Sequence, residues 1–377
     1  MIPMNPNLDK LRRSPIRVYT NLANATPGCV KLTIGEPDMD TPENIRAAAA
    51  AALAAGMTHY APNQGTFELR RAIADFETAR GNPVKESQVL VTIGASQALY
   101  TALTGILSPG DEVIIPTPGF VLYASIVLAA GAVPKFLDLS QTDFQIRGET
   151  LAPLVTDKTR AIILNSPNNP TGVVLNGESM AAVKAAVLGK PIAVICDNVY
   201  QALSDVLCPD LSLDPDLREQ VLVCQSFSKP WAMTGWRIGY LTAPEYMIEK
   251  LTLLSAATIA SVPTFIQAAA VEALNTDPEP LAKIFRSRRE YVCQRLVRMG
   301  LGFPRPGGAF YVFPNIERFG MGSDEFCTRL IREARVAAVP GSCFGTEGHI
   351  RLSCCCSDED LKEGLDRLER FIRNLPL

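Results

Sequence analysis

Short apolar, largely β-branched runs recur along the chain at Val89–Ile93, Glu112–Ile115, Val133–Leu137, Ala161–Leu164, Ile192–Cys196 and Val221–Cys224. Each is followed by a loop of polar residues or glycine, and stretches of helical character lie between them. This alternation predicts an α/β fold with a mostly parallel central sheet whose strands are buried on both faces. Ligands of such sheets sit beyond the carboxyl ends of the strands, so chemistry is expected in the loops that follow these runs.

A long helical run from Pro244 to about Leu274 is expected to tie two domains together. Past Pro280, charged amphipathic stretches and a strand over Gly307–Phe313 predict a second, smaller layered domain, completed by the N-terminal segment up to about Thr41. The expected division is a large domain over 42–280 and a small one built from 1–41 and 281–377. A chain of 377 residues is long enough for both cores. Neither an internal repeat nor a low-complexity linker interrupts the pattern.

Charge and composition remove several classes of function. Lysine and arginine number 36 against 39 acidic residues, a net charge of −3, which argues against nucleic acid or an anionic membrane as the main partner. The opening Met-Ile-Pro-Met-Asn-Pro-Asn lacks the basic and apolar regions of a secretory leader. The least polar stretch, near Ala47–Ala55, is alanine and not the Leu/Ile/Val of a membrane span. A cytoplasmic protein is the expectation. Of the ten cysteines, Cys354-Cys355-Cys356 are contiguous and the rest scattered, with no Cys-x-x-Cys pair. An extended triplet points its thiols to opposite faces, so no metal site is expected and the thiols are read as reduced, small apolar groups. With only His59 and His349, histidine-based triads have almost no material.

One segment concentrates chemistry: Ser226-Phe-Ser-Lys229-Pro-Trp-Ala-Met-Thr-Gly-Trp-Arg237-Ile-Gly-Tyr240. A lysine that forms a Schiff base must be partly desolvated or near other cations to be nucleophilic at neutral pH. Hydroxyls at Ser226 and Ser228 and the guanidinium of Arg237 are groups that fix a dianionic phosphate. A solvated lysine in a polar turn is the alternative for an isolated Ser-Lys pair. The complete pattern resembles the class I/II aminotransferases, the aspartate-aminotransferase-like, fold-type I family of pyridoxal phosphate (PLP) enzymes, whose signature reads Ser-x-Ser-Lys followed by Gly-x-Arg-x-Gly.

The resemblance runs from about Lys31 to Ser353 in matching order, and it implies a role for each motif. Gly94-Ala95-Ser96-Gln97 opens a helix whose free amides and dipole suit a phosphate, with Ala95 and Ser96 in the family's phosphate cup. Asn165-Ser-Pro-Asn-Asn169-Pro-Thr-Gly172 matches Asn-x-Pro-x-Asn-Pro-Thr-Gly, so Asn169 is expected at the ring hydroxyl and the substrate carboxylate. Asp197 ends a strongly apolar strand, where a carboxylate is costly unless paired; the pyridinium nitrogen is its implied partner, and Tyr200 is expected at the ring hydroxyl. Asn198 departs from the family's usual acidic residue.

Phe120 falls where relatives stack an aromatic ring on the cofactor, and Tyr60 where relatives reach the phosphate of the partner subunit's cofactor. Arg351, in Arg351-Leu352-Ser353, is expected to take the substrate α-carboxylate in its bidentate fork, and Gly35 to lie on a segment that closes over the substrate. Ser261 and Thr264 lie near expected partner-subunit contacts.

The resemblance thus implies a large PLP-binding α/β domain with a smaller α+β domain, PLP as cofactor and a homodimer with shared sites. The implied reaction is ping-pong exchange between an α-amino acid and a 2-oxo acid through a Schiff base at Lys229, with no metal. A PLP-dependent β-eliminating lyase on the same scaffold is the alternative. A PLP-sensing regulator is disfavoured, because the segment before Gly35 is too short and too weakly basic for a DNA-binding module.

Overall fold

The computed structural model describes residues 2–11 and 15–375. Helix α1 (Pro15–Asn24) precedes β1 (Val30–Lys31), α2 (Glu43–Ala54) and α3 (Phe67–Ala79). There follow β2 (Val89–Thr92), α4 (Gly94–Ile106), β3 (Glu112–Thr117), α5 (Leu122–Ala129), β4 (Val133–Asp138), α6 (Gly148–Leu151) and β5 (Thr159–Asn165). The sheet region continues through α7 (Gly177–Val187), β6 (Ala193–Asp197), β7 (Val221–Ser226) and β8 (Gly239–Thr242). Beyond it come α8 (Glu245–Ile259), α9 (Thr264–Leu274), α10 (Glu279–Arg298), β9 (Tyr311–Val312), α11 (Ser323–Arg329), β10 (Val336–Ala337), β11 (Val339–Pro340), β12 (Ile350–Ser353) and α12 (Asp358–Arg373).

Seven strands form the central sheet in the order β2-β8-β7-β6-β5-β3-β4. All pairs are parallel except those of β8, which runs antiparallel to both of its neighbours. Strands β5 to β7 match the expected apolar runs and are buried almost throughout, because helices cover both faces. β4 departs from the expectation: as the edge strand it exposes Val133, Phe136 and Asp138, having a neighbour on one side only. β8 had no place in the expected strands, since its four residues begin at the last glycine of Gly-x-Arg-x-Gly and form too short a run to stand out.

The expected helix from Pro244 to Leu274 is two helices. Pro263 has no amide hydrogen to continue the ladder, and Ala260 takes a positive φ of 55° at the end of α8. The expected strand over Gly307–Phe313 is reduced to β9, paired with β12 in a three-stranded sheet ordered β11-β12-β9. β1 pairs in parallel with β10, which fastens the N-terminal segment to the C-terminal third of the chain. Tyr19, Val30 and Leu32 there share one apolar core with α10, α11 and α12. Helix α12 shows why its sequence stops and starts where it does: Ser357 caps the first turn, acidic residues 358–360 face the positive dipole end, and Arg370 and Arg373 face the negative end.

Candidate active site

Parallel strands deliver their last residues to one edge of the sheet. Asn165 ends β5, Asp197 ends β6 and Ser226 ends β7, with Asn165 opposite Asp197 in register and Ser226 opposite Gly239. At that edge a cavity of about 370 Å³ is lined by Gly35, Ala95, Ser96, Phe120, Asn169, Asp197, Tyr200, Ser226, Ser228, Lys229, Arg237 and Arg351. These are the residues expected from the motifs, with one exception. Tyr60 is 89% exposed and lies outside the cavity lining of its own chain.

At one end, α4 begins with Gly94, Ala95 and Ser96; the last two line the cavity, and the first amides of a helix have no acceptor within it. Arg237 leans over Gly94, where an added Cβ would stand 2.7 Å from Nη2, and Gly94 itself has a φ of +68°. Arg237 also has a positive φ, +54°, and its Nη1 donates to the carbonyl of Thr234 at 2.9 Å. A bulky residue in that conformation is strained, and such strain collects at sites that need it. Among the described residues no carboxylate pairs with Arg237, so its charge is left for a ligand. The amide of Ser228 donates to Ser226 Oγ at 3.1 Å, which folds both serines into the same turn.

Asp197 forms the floor. It is buried, Tyr123 donates a 2.5 Å hydrogen bond to Oδ2, and Oδ1 has no partner among the described residues. Burial raises the carboxyl's pKa from 3.8 to about 6, against the lowering effect of Tyr123, of the Val199 backbone amide and of the Lys229 charge. Asn165 Nδ2 donates to the Asp197 carbonyl at 2.9 Å while its Oδ1 accepts the Asn169 amide at 2.8 Å, which locks the two strand ends together. Lys229 Nζ donates to the Gly35 carbonyl at 2.5 Å, and burial lowers the pKa of this lysine. A partly desolvated amine is thereby made more nucleophilic.

At the other end Arg351 is 3% exposed. Its Nη1 donates to Asn169 Oδ1 at 2.9 Å and its Nη2 to the Thr33 carbonyl at 2.7 Å, while Nε is buried without an acceptor. Its guanidinium lies 4.4 Å from the Tyr311 ring centroid and 5.0 Å from that of Phe344. No protein carboxylate meets it among the described residues, so the structural ion pair that an arginine on an apolar strand suggests is not what holds it. Gly35 needs to be glycine: an added Cβ would collide with the Tyr311 hydroxyl. The Tyr311 and Tyr200 hydroxyls are 3.1 Å apart.

Four contributors escaped the sequence reading: Tyr123, Tyr311, Asn165 and Thr33. Tyr311 sits in a run legible only as a strand, Thr33 acts through its backbone, and Asn165 opens the Asn-x-Pro-x-Asn-Pro-Thr-Gly motif with no role of its own expected there. Tyr123 lies three residues after Phe120, and nothing local marks it out. Thr264 and Ser261 hold the loop that carries Tyr60, through Thr264 Oγ1 to the Met57 carbonyl at 2.6 Å and the Ala61 amide to Ser261 Oγ at 3.2 Å. The cysteine triplet lies just past β12 with free thiols, and the described residues hold no cluster of ligands suited to a metal.

The unpartnered groups fit PLP: an acceptor oxygen on Asp197 for a ring N–H, a free cation and helix amides for a phosphate, and an amine for the aldehyde. Known proteins agree with the geometry. The profile of "Aminotransferase class I and II" matches residues 27–368. A probable N-acetyl-LL-diaminopimelate aminotransferase of Bacillus subtilis (strain 168) is 39% identical, over 98% of this chain and 95% of its own length. An aspartate aminotransferase of Pyrococcus abyssi is also 39% identical, over 99% of both chains. The crystal structure of an aspartate aminotransferase from Thermotoga maritima superposes with a TM-score of 0.95 at 34% identity, covering 98% of this chain and 100% of the other. The chain belongs to the class I and II aminotransferases, and it is a transaminase of their aspartate-aminotransferase-like, fold-type I branch.

Proposed function

We propose that amino-group transfer runs here on PLP held at Lys229, in a ping-pong exchange between an α-amino acid and a 2-oxo acid. The observation that carries this reading is the convergence on one cavity of a partly desolvated lysine and a buried carboxylate with one oxygen unpaired. PLP, when bound, supplies an aldehyde that condenses with amines and a ring that takes up an electron pair. Everything else falls to the chain's own residues.

Arg237, Ser226, Ser228 and the amides of Ala95 and Ser96 would hold the phosphate. Asp197 would accept the ring N–H, with Phe120 packed on the ring and Asn169 and Tyr200 at its hydroxyl. Arg351 would fix the substrate α-carboxylate, which orients the α-hydrogen toward Lys229. The Lys229 amine, kept from full protonation by burial, would then carry that proton from the α-carbon to the cofactor's C4′ carbon. The segment through Gly35 would close over the substrate and exclude water; it is already clipped to the Lys229–Arg237 turn, where Glu36 accepts from Thr234 and the Thr41 hydroxyl donates to the Ala232 carbonyl.

The same reading includes a homodimer that shares Tyr60 across its interface, supported by the exposure of that side chain on a loop anchored to Ser261. It also includes the division into 42–280 and 1–41 with 281–377, supported by the β1–β10 pairing and by an apolar core built mainly from the chain's two ends. A cytoplasmic location is supported by ten free cysteines. No described helix is long and apolar enough to cross a membrane.

A panel of amino donors assayed with 2-oxoglutarate and pyruvate tests the reaction. Transfer that depends on the oxo acid is the expected result. Release of ammonia and pyruvate from the donors without any acceptor would overturn it in favour of β-elimination.

A further inference from the structure

The Asp197 carboxylate is not free to choose which oxygen it presents. The first residues of α5 bring Tyr123, 2% exposed, against Asp197 Oδ2 at 2.5 Å, and the other oxygen is left bare toward the cavity. Tyr123 is itself packed edge-on against Phe120, with ring centroids 5.8 Å apart, so one loop and helix start supply both the ring-stacking residue and the carboxylate's second partner.

We propose that Tyr123 is a positioning residue, which aims Asp197 Oδ1 at the cofactor's ring nitrogen and holds the shared proton on that nitrogen rather than on the carboxylate. A hydrogen bond donated to an ionised carboxylate stabilises the ionised form and lowers its basicity. With Tyr123 in place, the pair is best described as N–H⁺ facing O⁻. Without it, the more basic carboxylate draws the proton to itself, and the ring becomes a weaker electron sink.

Among the described residues no other charged side chain makes this contact, and the Val199 backbone amide is the one further group that favours the ionised carboxylate through a hydrogen bond. From β7 the register partner of Asp197 is Cys224, from its own strand the neighbour is Cys196, and burial pushes both thiols up and keeps them neutral. Asn165 on β5 serves the Asp197 backbone carbonyl and not its carboxylate. Tyr200 is paired with Tyr311, and the Lys229 charge acts through space. Tyr123 remains a donor throughout the working range, since burial and Asp197 push its own pKa well above the ordinary value of 10.0.

This inference rests on the PLP reading, and the test separates the two. Holoenzyme is loaded with PLP carrying ¹⁵N at the ring nitrogen, and its resonance and kinetics are compared in wild type, Tyr123→Phe, Asp197→Asn and the double variant. A wild type that takes up no PLP would sink the functional reading itself. In Tyr123→Phe the ring resonance should move toward that of an unprotonated pyridine, and kcat should fall about tenfold, one pKa unit of carboxylate basicity, with little change in KM. In the double variant, kcat and cofactor retention should be no worse than in Asp197→Asn alone, because Tyr123 acts through Asp197. A wild-type resonance in Tyr123→Phe overturns the inference. Should Tyr123→Phe hold no cofactor, losses that add in the double variant overturn it and losses that do not add uphold it.

Discussion

A carboxylate buried with one oxygen unpaired opposes folding until a ligand covers it, and at residue scale this gives Asp197 a measurable signature. Its pKa is raised from 3.8 to about 6, so between those values the folded protein binds more protons than the unfolded chain. Stability of the cofactor-free protein therefore falls as pH rises through that window, by about 3 kcal/mol for a shift of about two units, and stays lower above it. Cofactor-free Asp197→Asn should melt higher than wild type at pH 8 and equally at pH 3, while with PLP bound it should melt lower. Equal melting of the two cofactor-free proteins at pH 8 would remove the unpaired-carboxylate account. The two site arginines should separate in a different way. On the proposed reading, Arg351→Ala removes the α-carboxylate's partner and Arg237→Ala the phosphate's, each a loss on the order of 2–5 kcal/mol. The first should raise KM for amino acids with PLP retained, and the second should weaken PLP retention in a dialysis assay. Residues whose chemistry declares itself, such as Lys229, Asp197 and Arg351, were legible in the sequence. Tyr123 and Tyr311 were not, because an aromatic in an apolar stretch is indistinguishable from core until its hydroxyl is seen to have a partner.

Elements decide where those residues meet. The carboxyl ends of β5, β6 and β7 place Asn165, Asp197 and Ser226 side by side, and the apolar runs that form these strands were plain in the chain because helices bury both faces. Elements whose geometry depends on distant pairing were less plain: β8 exists because β2 and β7 flank it, and the exposed pattern of β4 follows from its place at the edge. The start of α4 is a sharper case. Gly94 combines a positive φ with the close approach of Arg237, so a side chain there is both strained and obstructed. Gly94→Ala should lose on the order of 1 kcal/mol or more of stability and weaken PLP binding together, as read by thermal melts and cofactor titration. Retention of wild-type PLP affinity in that variant would show that the Arg237–Gly94 contact does not shape the phosphate seat.

For the whole molecule, the β1–β10 pairing fastens the chain's two ends, and the Gly35 segment and Arg351 meet Lys229 in one cavity at the central sheet. Tyr60, exposed on its own chain, is the residue that the proposed homodimer would share. Mixing Lys229→Ala with Tyr60→Ala subunits tests that sharing. In a hybrid dimer the Tyr60→Ala subunit keeps its Lys229 and borrows an intact Tyr60, so one complete site returns and activity should rise above the parental average. With hybrids verified and Tyr60→Ala impaired on its own, no recovery would exclude a shared site. The pattern along the chain already pointed to a joining of its two ends, which the β1–β10 pairing shows. Which subunit Tyr60 serves is read only through the family resemblance, since a single chain's sequence carries no record of its neighbour's surface. The central claim is that Lys229 carries the cofactor, and borohydride reduction of the PLP-loaded protein followed by peptide mapping tests it most directly. The account predicts a single phosphopyridoxyl adduct on Lys229, absent in Lys229→Ala; an adduct on any other lysine would contradict it.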